Sequence, residues 1–141
     1  MSFRRLSGLI GVVVLLGAVA YLRDPGWLIG VESGLRPWER AADGTHSRWT
    51  GGHASFFVPS TATSLALPIR TTFASGDPPV TVTIMVDDRP AAVVELDDDR
   101  WRRVRLALPG RSTRRVRRID IHVDRTRSGN RGIAVADAEL R

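Results

Sequence analysis

The sequence contains no cysteine, no lysine and no glutamine. Without cysteine no disulfide can staple the fold, so apolar burial alone must hold it, and no cysteine pair is available for a metal or redox site. All 21 basic residues are therefore arginine, a composition bias that weakens any argument from a single arginine. Also missing are a G-x-S-x-G nucleophile turn, an H-E-x-x-H zinc motif and a P-loop, which removes the sequence signatures of common hydrolases, metalloproteases and nucleotide-binding enzymes. Helical periodicity, internal repeats and low-complexity segments are absent beyond the first two dozen residues. One long apolar run remains, at the N-terminus.

That run is Leu6–Leu22, LSGLIGVVVLLGAVAYL, seventeen residues without a charge, preceded by Arg4 and Arg5 and followed by Arg23 and Asp24. As a helix it is about 26 Å long against a hydrocarbon core of about 30 Å, short but workable because the flanking arginines can snorkel and Tyr21 suits the interface. Glycines and valines on all its faces argue against a buried core helix. A signal anchor keeps the helix, with the arginine-bearing end cytoplasmic and the body outside. A cleavable signal peptide has MSFRR as its basic segment and Ala18-Val19-Ala20 as an A-x-A cleavage site. The anchor is preferred, since the apolar run continues through Tyr21 and Leu22 past a cut after Ala20. Either way the expected location is the cell membrane, single-pass with an extracytoplasmic body, or secreted or periplasmic if cleaved.

The chain then divides, on this reading, into residues 1–23 as anchor or peptide, 24–46 as tether and irregular loop, and 47–141 as one domain large enough for a core. Glycine and proline punctuate Arg23–Ser47, with a short strand expected at Leu28–Glu32. A turn, RWTGG, leads into the strand His53–Val58. From there the period is two. Leu65, Leu67 and Ile69 share a face of Ser64–Phe73; Val80, Val82, Ile84 and Val86 share one of Val80–Val86; Ala91–Leu96 returns as a hairpin partner. Val104, Leu106 and Leu108 face inward from Trp101–Leu108, and Ile119, Ile121 and Val123 from Val116–Val123. Gly132–Leu140 makes a last strand. Breakers stand at Ser75–Pro79 and Pro109-Gly110. Seven or eight short strands with turns between them predict an all-β fold, an antiparallel β-sandwich of jelly-roll-like form.

The net charge of +6 is unevenly spread. Asp77–Asp99 holds seven acids against Arg89, and Arg100–Arg127 eleven arginines against Asp120 and Asp124. Because the arginines alternate with apolar residues, the block reads as the wet face of half-buried strands rather than as a nucleic-acid site. An anionic surface, lipid or acidic polysaccharide, is the functional reading that survives, and no nucleic-acid partner is expected.

The order GLRPWE, RWTGG, VTVTIMVDDRP, WRRVRLALP and RGIAVADAEL resembles a small β-sandwich module of bacterial membrane proteins that assemble cell-surface polysaccharide, often an extracytoplasmic appendage of multi-spanning glycosyltransferases. The likeness spans roughly 34–141. The catalytic part of those proteins has no counterpart in these 141 residues, so the resemblance implies no transferase activity.

Candidate chemistry is sparse. His46 and His53 flank RWTGG without an evident carboxylate partner, a weak metal site, and His122 is expected in solvent. Asp97–Asp99 reads as a turn rather than a calcium site. Glu32, Glu39 and Glu95 show no spacing that reports a glycosidase pair. No catalytic residue, metal site or cofactor is predicted. Trp38 and Trp49 lie in or beside loops and offer apolar faces with polar edges, on which sugar rings stack; Arg36, Glu39 and Arg48 can supply hydrogen bonds. Trp101 is expected to pack on the core. The resulting expectation is a membrane-anchored, non-catalytic module that binds glycan or assists envelope polysaccharide assembly, with Trp38, Trp49, Arg36, Glu39 and Arg48 as ligand-binding residues and a polysaccharide or a membrane protein of its assembly as partner. The alternatives are a protein-interaction domain docking on a membrane partner through its arginine-rich face, and an envelope glycan-acting enzyme.

Overall fold

The computed structural model describes residues 3–73, 76–108, 110 and 113–141; Ser75 and Pro109, expected to break strands, lie outside them. An N-terminal helix, α1 (Phe3–Arg23), leads through a 3-10 turn (Gly26–Gly30) into ten strands. These are β1 (Glu32–Leu35), β2 (Glu39–Arg40), β3 (His46–Pro59), β4 (Ser64–Arg70), β5 (Val80–Val86), β6 (Arg89–Leu96), β7 (Arg102–Ala107), β8 (Val116–Val123), β9 (Ala134–Ala136) and β10 (Glu139–Leu140). Every strand pairing is antiparallel. The fold is the all-β sandwich expected, preceded by one apolar helix among the described residues.

α1 is long and apolar enough to cross a membrane. Residues 8–22 are exposed all round, so the core-helix reading does not hold. Two findings correct the reading of the segment after it. The expected strand at Leu28–Glu32 is instead the 3-10 turn, closed by Val31 N–H to the Leu28 carbonyl at 2.9 Å, and the strand begins only at Glu32. The expected irregular loop carries β1 and β2, both paired to β3.

β3 organises the sandwich because it serves both sheets. Its first part pairs Ser47, Arg48 and Trp49 with Ala136, Val135 and Ala134 of β9. Its second part pairs His53–Pro59 with β8. One sheet therefore runs β1-β3-β8-β5-β6; the other runs from β2 through β3 and β9 to β4 and β7, with β10 continuing beyond β9 along the same edge of β4. The crossing point is Thr50-Gly51-Gly52. Thr50 is fully buried there and fully bonded: its N–H donates to the Ile133 carbonyl at 2.9 Å, its carbonyl accepts from Gly132 N–H at 2.8 Å, and its hydroxyl accepts from Ile133 N–H at 3.0 Å. Pairing the buried backbone groups of Thr50 lowers the desolvation penalty of a strand that changes sheets. Gly34 (φ +67°) makes a second close approach, where a Cβ would sit 2.9 Å from the Ala54 Cα.

Between the sheets lie Leu65, Leu67 and Ile69 of β4, Val80, Val82, Ile84 and Val86 of β5, and Ile119, Ile121 and Val123 of β8, all buried as the period of two predicts. The hairpin turn falls on Asp87 (φ 49°) and Asp88 (φ 65°), the left-handed pair that matches strand twist in two-residue hairpins.

At the start of β8 the alternation that turns Ile119, Ile121 and Val123 inward carries a charge inside as well. Arg117 is buried, donating to the Asp87 carboxylate at 3.1 Å and to the Gly110 carbonyl. Asp87 also accepts from Arg118 N–H at 2.9 Å, tying the hairpin tip to β8.

Candidate functional site

The arginine block turns out to be substantially neutralised at home. Arg102 pairs with Asp97 and Asp98, Arg103 with Glu139 at 2.9 Å, Arg118 with Asp88 and Asp120, and Arg127 with Asp77 at 3.8 Å. The run Asp97–Asp99 is a turn, with Arg100 N–H on Asp98 Oδ1 at 3.1 Å. Among the described residues no group of three or more His, Asp or Glu side chains is placed to hold a metal. Glu32 and Glu95 stand on β1 and β6, the two outer strands of a five-stranded sheet. Four strand spacings separate them, about 19 Å, well beyond a glycosidase pair.

His46 and His53 do have carboxylate partners, contrary to the sequence reading. His53 Nε2 lies 3.1 Å from the buried Asp120, and His46 Nδ1 3.6 Å from Asp137. His46 stacks on Trp38 (4.6 Å between centroids, 14°), whereas His53 stacks on the exposed His122 (4.4 Å, 12°).

Four of the five candidate ligand residues divide between two clefts, and the reason is local; Glu39 lines neither. Adjacent residues on a strand project to opposite faces, so Arg48 and Trp49 cannot share a site. Arg48 is on the inner side of β3, opposite Val135, and forms a two-pronged ion pair with Glu32, one arm at 2.7 Å. Its guanidinium lies 4.4 Å from the centre of the Trp38 ring. Trp38 therefore already has two partners, His46 and Arg48, although the residue is 38% exposed. These side chains cap an apolar slot of about 180 Å³ between the sheets, lined by Leu35, Phe56, Leu67 and Val135 among others. Glu39 is exposed on β2 opposite Ser47.

Arg48, by hydrogen bonding first and charge second, holds the Glu32 carboxyl below its ordinary value of 4.5. A lowered folded value means the contribution is present above that ordinary value and is lost as pH falls through the folded one. Melting curves of wild type and Glu32→Gln should differ at pH 7, and the gap should close progressively below about pH 4.5. A gap unchanged at pH 3 would mean the clasp contributes nothing through its charge.

Trp49 belongs to the other cleft. It is half-buried on the outer side of β3, opposite Ala134, with the Arg131 guanidinium 5.6 Å from its ring centre. Arg36, which donates to the Gly129 carbonyl, reaches the same place, as do Thr72, Arg127 and Ser128. Together they line an open cleft of about 600 Å³. The loop 127–131 that forms one wall is closed by Arg127 N–H on the Arg131 carbonyl at 2.7 Å and turns through Gly129 (φ 75°) and Asn130 (φ 54°). Arg127 and Arg131 were not singled out from sequence; only their place in a polar loop beside the last strand hinted at them.

Trp101 also departs from expectation. It packs beside Arg70 (4.7 Å) and donates its indole N–H to Asp43 at 3.3 Å, rather than joining the core.

No protein-family model matches the sequence, and none of the curated proteins does. Solved structures share the fold. A family two carbohydrate esterase from Cellvibrio japonicus superposes with a TM-score of 0.50 at 14% identity, over 77% of this chain and 30% of its own. A family two carbohydrate esterase from Clostridium thermocellum, solved with cellohexaose, gives 0.51 at 10% identity, over 79% and 31%. The C-terminal domain of EclA, described as a sugar-binding protein, gives 0.50 at 11% identity, over 74% and 89%. The chain thus spans about a third of the esterases' length and most of the EclA domain.

Proposed function

We propose that this protein is a non-catalytic glycan-binding module held at a membrane by α1, its sandwich outside the cytoplasm, and that it serves as an accessory in envelope polysaccharide assembly. The observation that carries the reading is the cleft where the Trp49 ring meets three arginines, Arg36, Arg127 and Arg131. A tryptophan face offers stacking for a pyranose ring, and guanidinium forks donate to hydroxyls or, more strongly, to carboxylates. Only Arg127 of the three has a carboxylate partner among the described residues, Asp77. The ligand class best matched is therefore a polysaccharide bearing acidic sugars. That two carbohydrate esterases and a sugar-binding domain share the fold supports a carbohydrate role without identifying the sugar, and fold alone does not set function. The resemblance to appendages of polysaccharide-assembling membrane proteins points the same way.

Within the five sequence candidates, Trp49 and Arg36 are assigned to this cleft. Trp38 and Arg48 are assigned to the opposite side, where they support structure, and Glu39, exposed on β2, is assigned to neither. Stacking on one ring is worth about 1–2 kcal/mol, so a single site is weak and gains from many anchored copies meeting a repeating polymer. Titration of the full chain in detergent micelles with acidic and neutral polysaccharides, followed by tryptophan fluorescence, tests the reading. Acidic polymers should bind more tightly and release with salt. Trp49→Ala should weaken binding about 5- to 30-fold without altering the melting temperature by more than a few degrees. Equal binding by Trp49→Ala, or no binding of any polysaccharide, would reject it.

A further inference from the structure

The end of the sandwich beside α1 has a surface of its own. Asp24, buried directly after the helix, accepts from Arg115 N–H and stands 3.9 Å from Arg114 Nε. The helix exit is therefore fastened to the segment leading into β8. The 3-10 turn that follows packs Leu28 against the sandwich, in a cleft shared with Phe57, and leaves Trp27 (62%) and Ile29 (48%) exposed. Neither side chain belongs to the core of the sandwich. Arg89 lines the cleft that Leu28 enters, and Arg23 and Arg115 flank Asp24 at the helix exit; all three are exposed and none has a carboxylate partner among the described residues. The acids of the same cleft are already engaged, Asp87 by Arg117 and Asp88 by Arg118.

We propose that this foot docks on the bilayer that α1 enters, with Trp27 and Ile29 at headgroup level and Arg23, Arg89 and Arg115 on the phosphates of anionic lipids. The inference rests on the reading of α1 as a membrane anchor. Tryptophan favours the interface, and each basic residue near an anionic surface adds attraction that salt screens. The consequence is an oriented domain. β3 carries Phe57 at the foot and Trp49 eight residues away, about 26 Å of strand path, so docking would lift the Trp49 cleft clear of the headgroups.

The lack of cysteine makes the test clean. Thr113→Cys places a fluorophore on the rim of the foot, far in sequence from the anchor, and Ser128→Cys places one beside the Trp49 cleft. The full chain is reconstituted in phosphatidylcholine vesicles with and without about 30% phosphatidylglycerol, plus headgroup spin-labelled lipid. Resistance to alkaline carbonate extraction first checks the anchor; if the chain is extracted, the anchor reading fails and the proposal with it. If it is retained, docking predicts at least threefold stronger quenching at 113 than at 128 in anionic vesicles. The excess should shrink in pure phosphatidylcholine, at 0.5 M salt, and in Arg89→Glu/Arg115→Glu. Equal quenching at the two positions in a chain that resists extraction would overturn docking while leaving the anchor standing.

Discussion

Replacing Ile121 by alanine is expected to cost the sandwich about 2–5 kcal/mol, a large part of the about 5–15 kcal/mol that holds a typical domain folded. Ile121 is fully buried at the centre of its sheet, opposite Ala54 of β3 on one side and Ile84 of β5 on the other. Both flanking strands are paired on their far edges as well, so the sheet cannot close over the void. The cost should therefore fall in the upper half of that range. Ile84→Ala should behave alike, and the double variant should lose less than the two single losses combined, because the two side chains border one space. Val93→Ala, at a position 64% exposed on β6, should change stability by less than about 0.5 kcal/mol. Urea unfolding followed by far-ultraviolet circular dichroism reads all four. A loss below half a kcal/mol at both isoleucines would mean these strands do not face a common core.

How far these features can be read in advance depends on whether a residue's own neighbours in sequence determine its surroundings. Leu65, Leu67 and Ile69 alternate with Ala66, Pro68 and Arg70, and that period alone predicts the buried face of β4. β1 and β2 carry no such signal. ESGL and ER are strands only because β3 offers them an edge, a partner remote in sequence that leaves no mark on their composition. Arg117 presents a conflict of rules: alternation with Ile119 turns it inward and its charge turns it outward. Asp87, brought over by the hairpin, decides for the interior.

The candidate site was half legible. Trp49 and Arg36 do converge on one cleft, but Trp38 and Arg48 do not join them. The period-two rule already separates Arg48 from Trp49; proximity in the RWTGG motif obscured it. Arg131 and Arg127 reach Trp49 only through a loop closed some eighty residues later in the chain, which no local pattern reports.

Gly132→Ala is expected to be the most damaging single change near the candidate cleft. Gly132 leads into β9 where that strand meets the β3 corner, and an added Cβ would lie 2.6 Å from Thr50 Oγ1 and closer still to the Gly51 carbonyl oxygen. The obstacle is largely backbone and a buried hydroxyl, neither of which can rotate away. Relief requires β9 to move off β3, breaking the bonds from Gly132 N–H to the Thr50 carbonyl and from Ile133 N–H to the Thr50 hydroxyl. Overpacking alone costs about 1–3 kcal/mol, and each buried polar group left unpaired adds about 1–3 more. A loss of at least 3 kcal/mol is therefore expected, read as a lowered urea midpoint. Because Arg131 precedes Gly132 and Trp49 precedes Thr50, the same shift should separate guanidinium from indole. In whatever fraction remains folded, polysaccharide affinity should fall at least as far as in Trp49→Ala. Gly110→Ala, with nothing within 4 Å of the added carbon, serves as the control and should leave both stability and binding unchanged. Were Gly132→Ala as stable as wild type, the crossing of β3 between the sheets would have to run otherwise, and the wall of the Trp49 cleft with it.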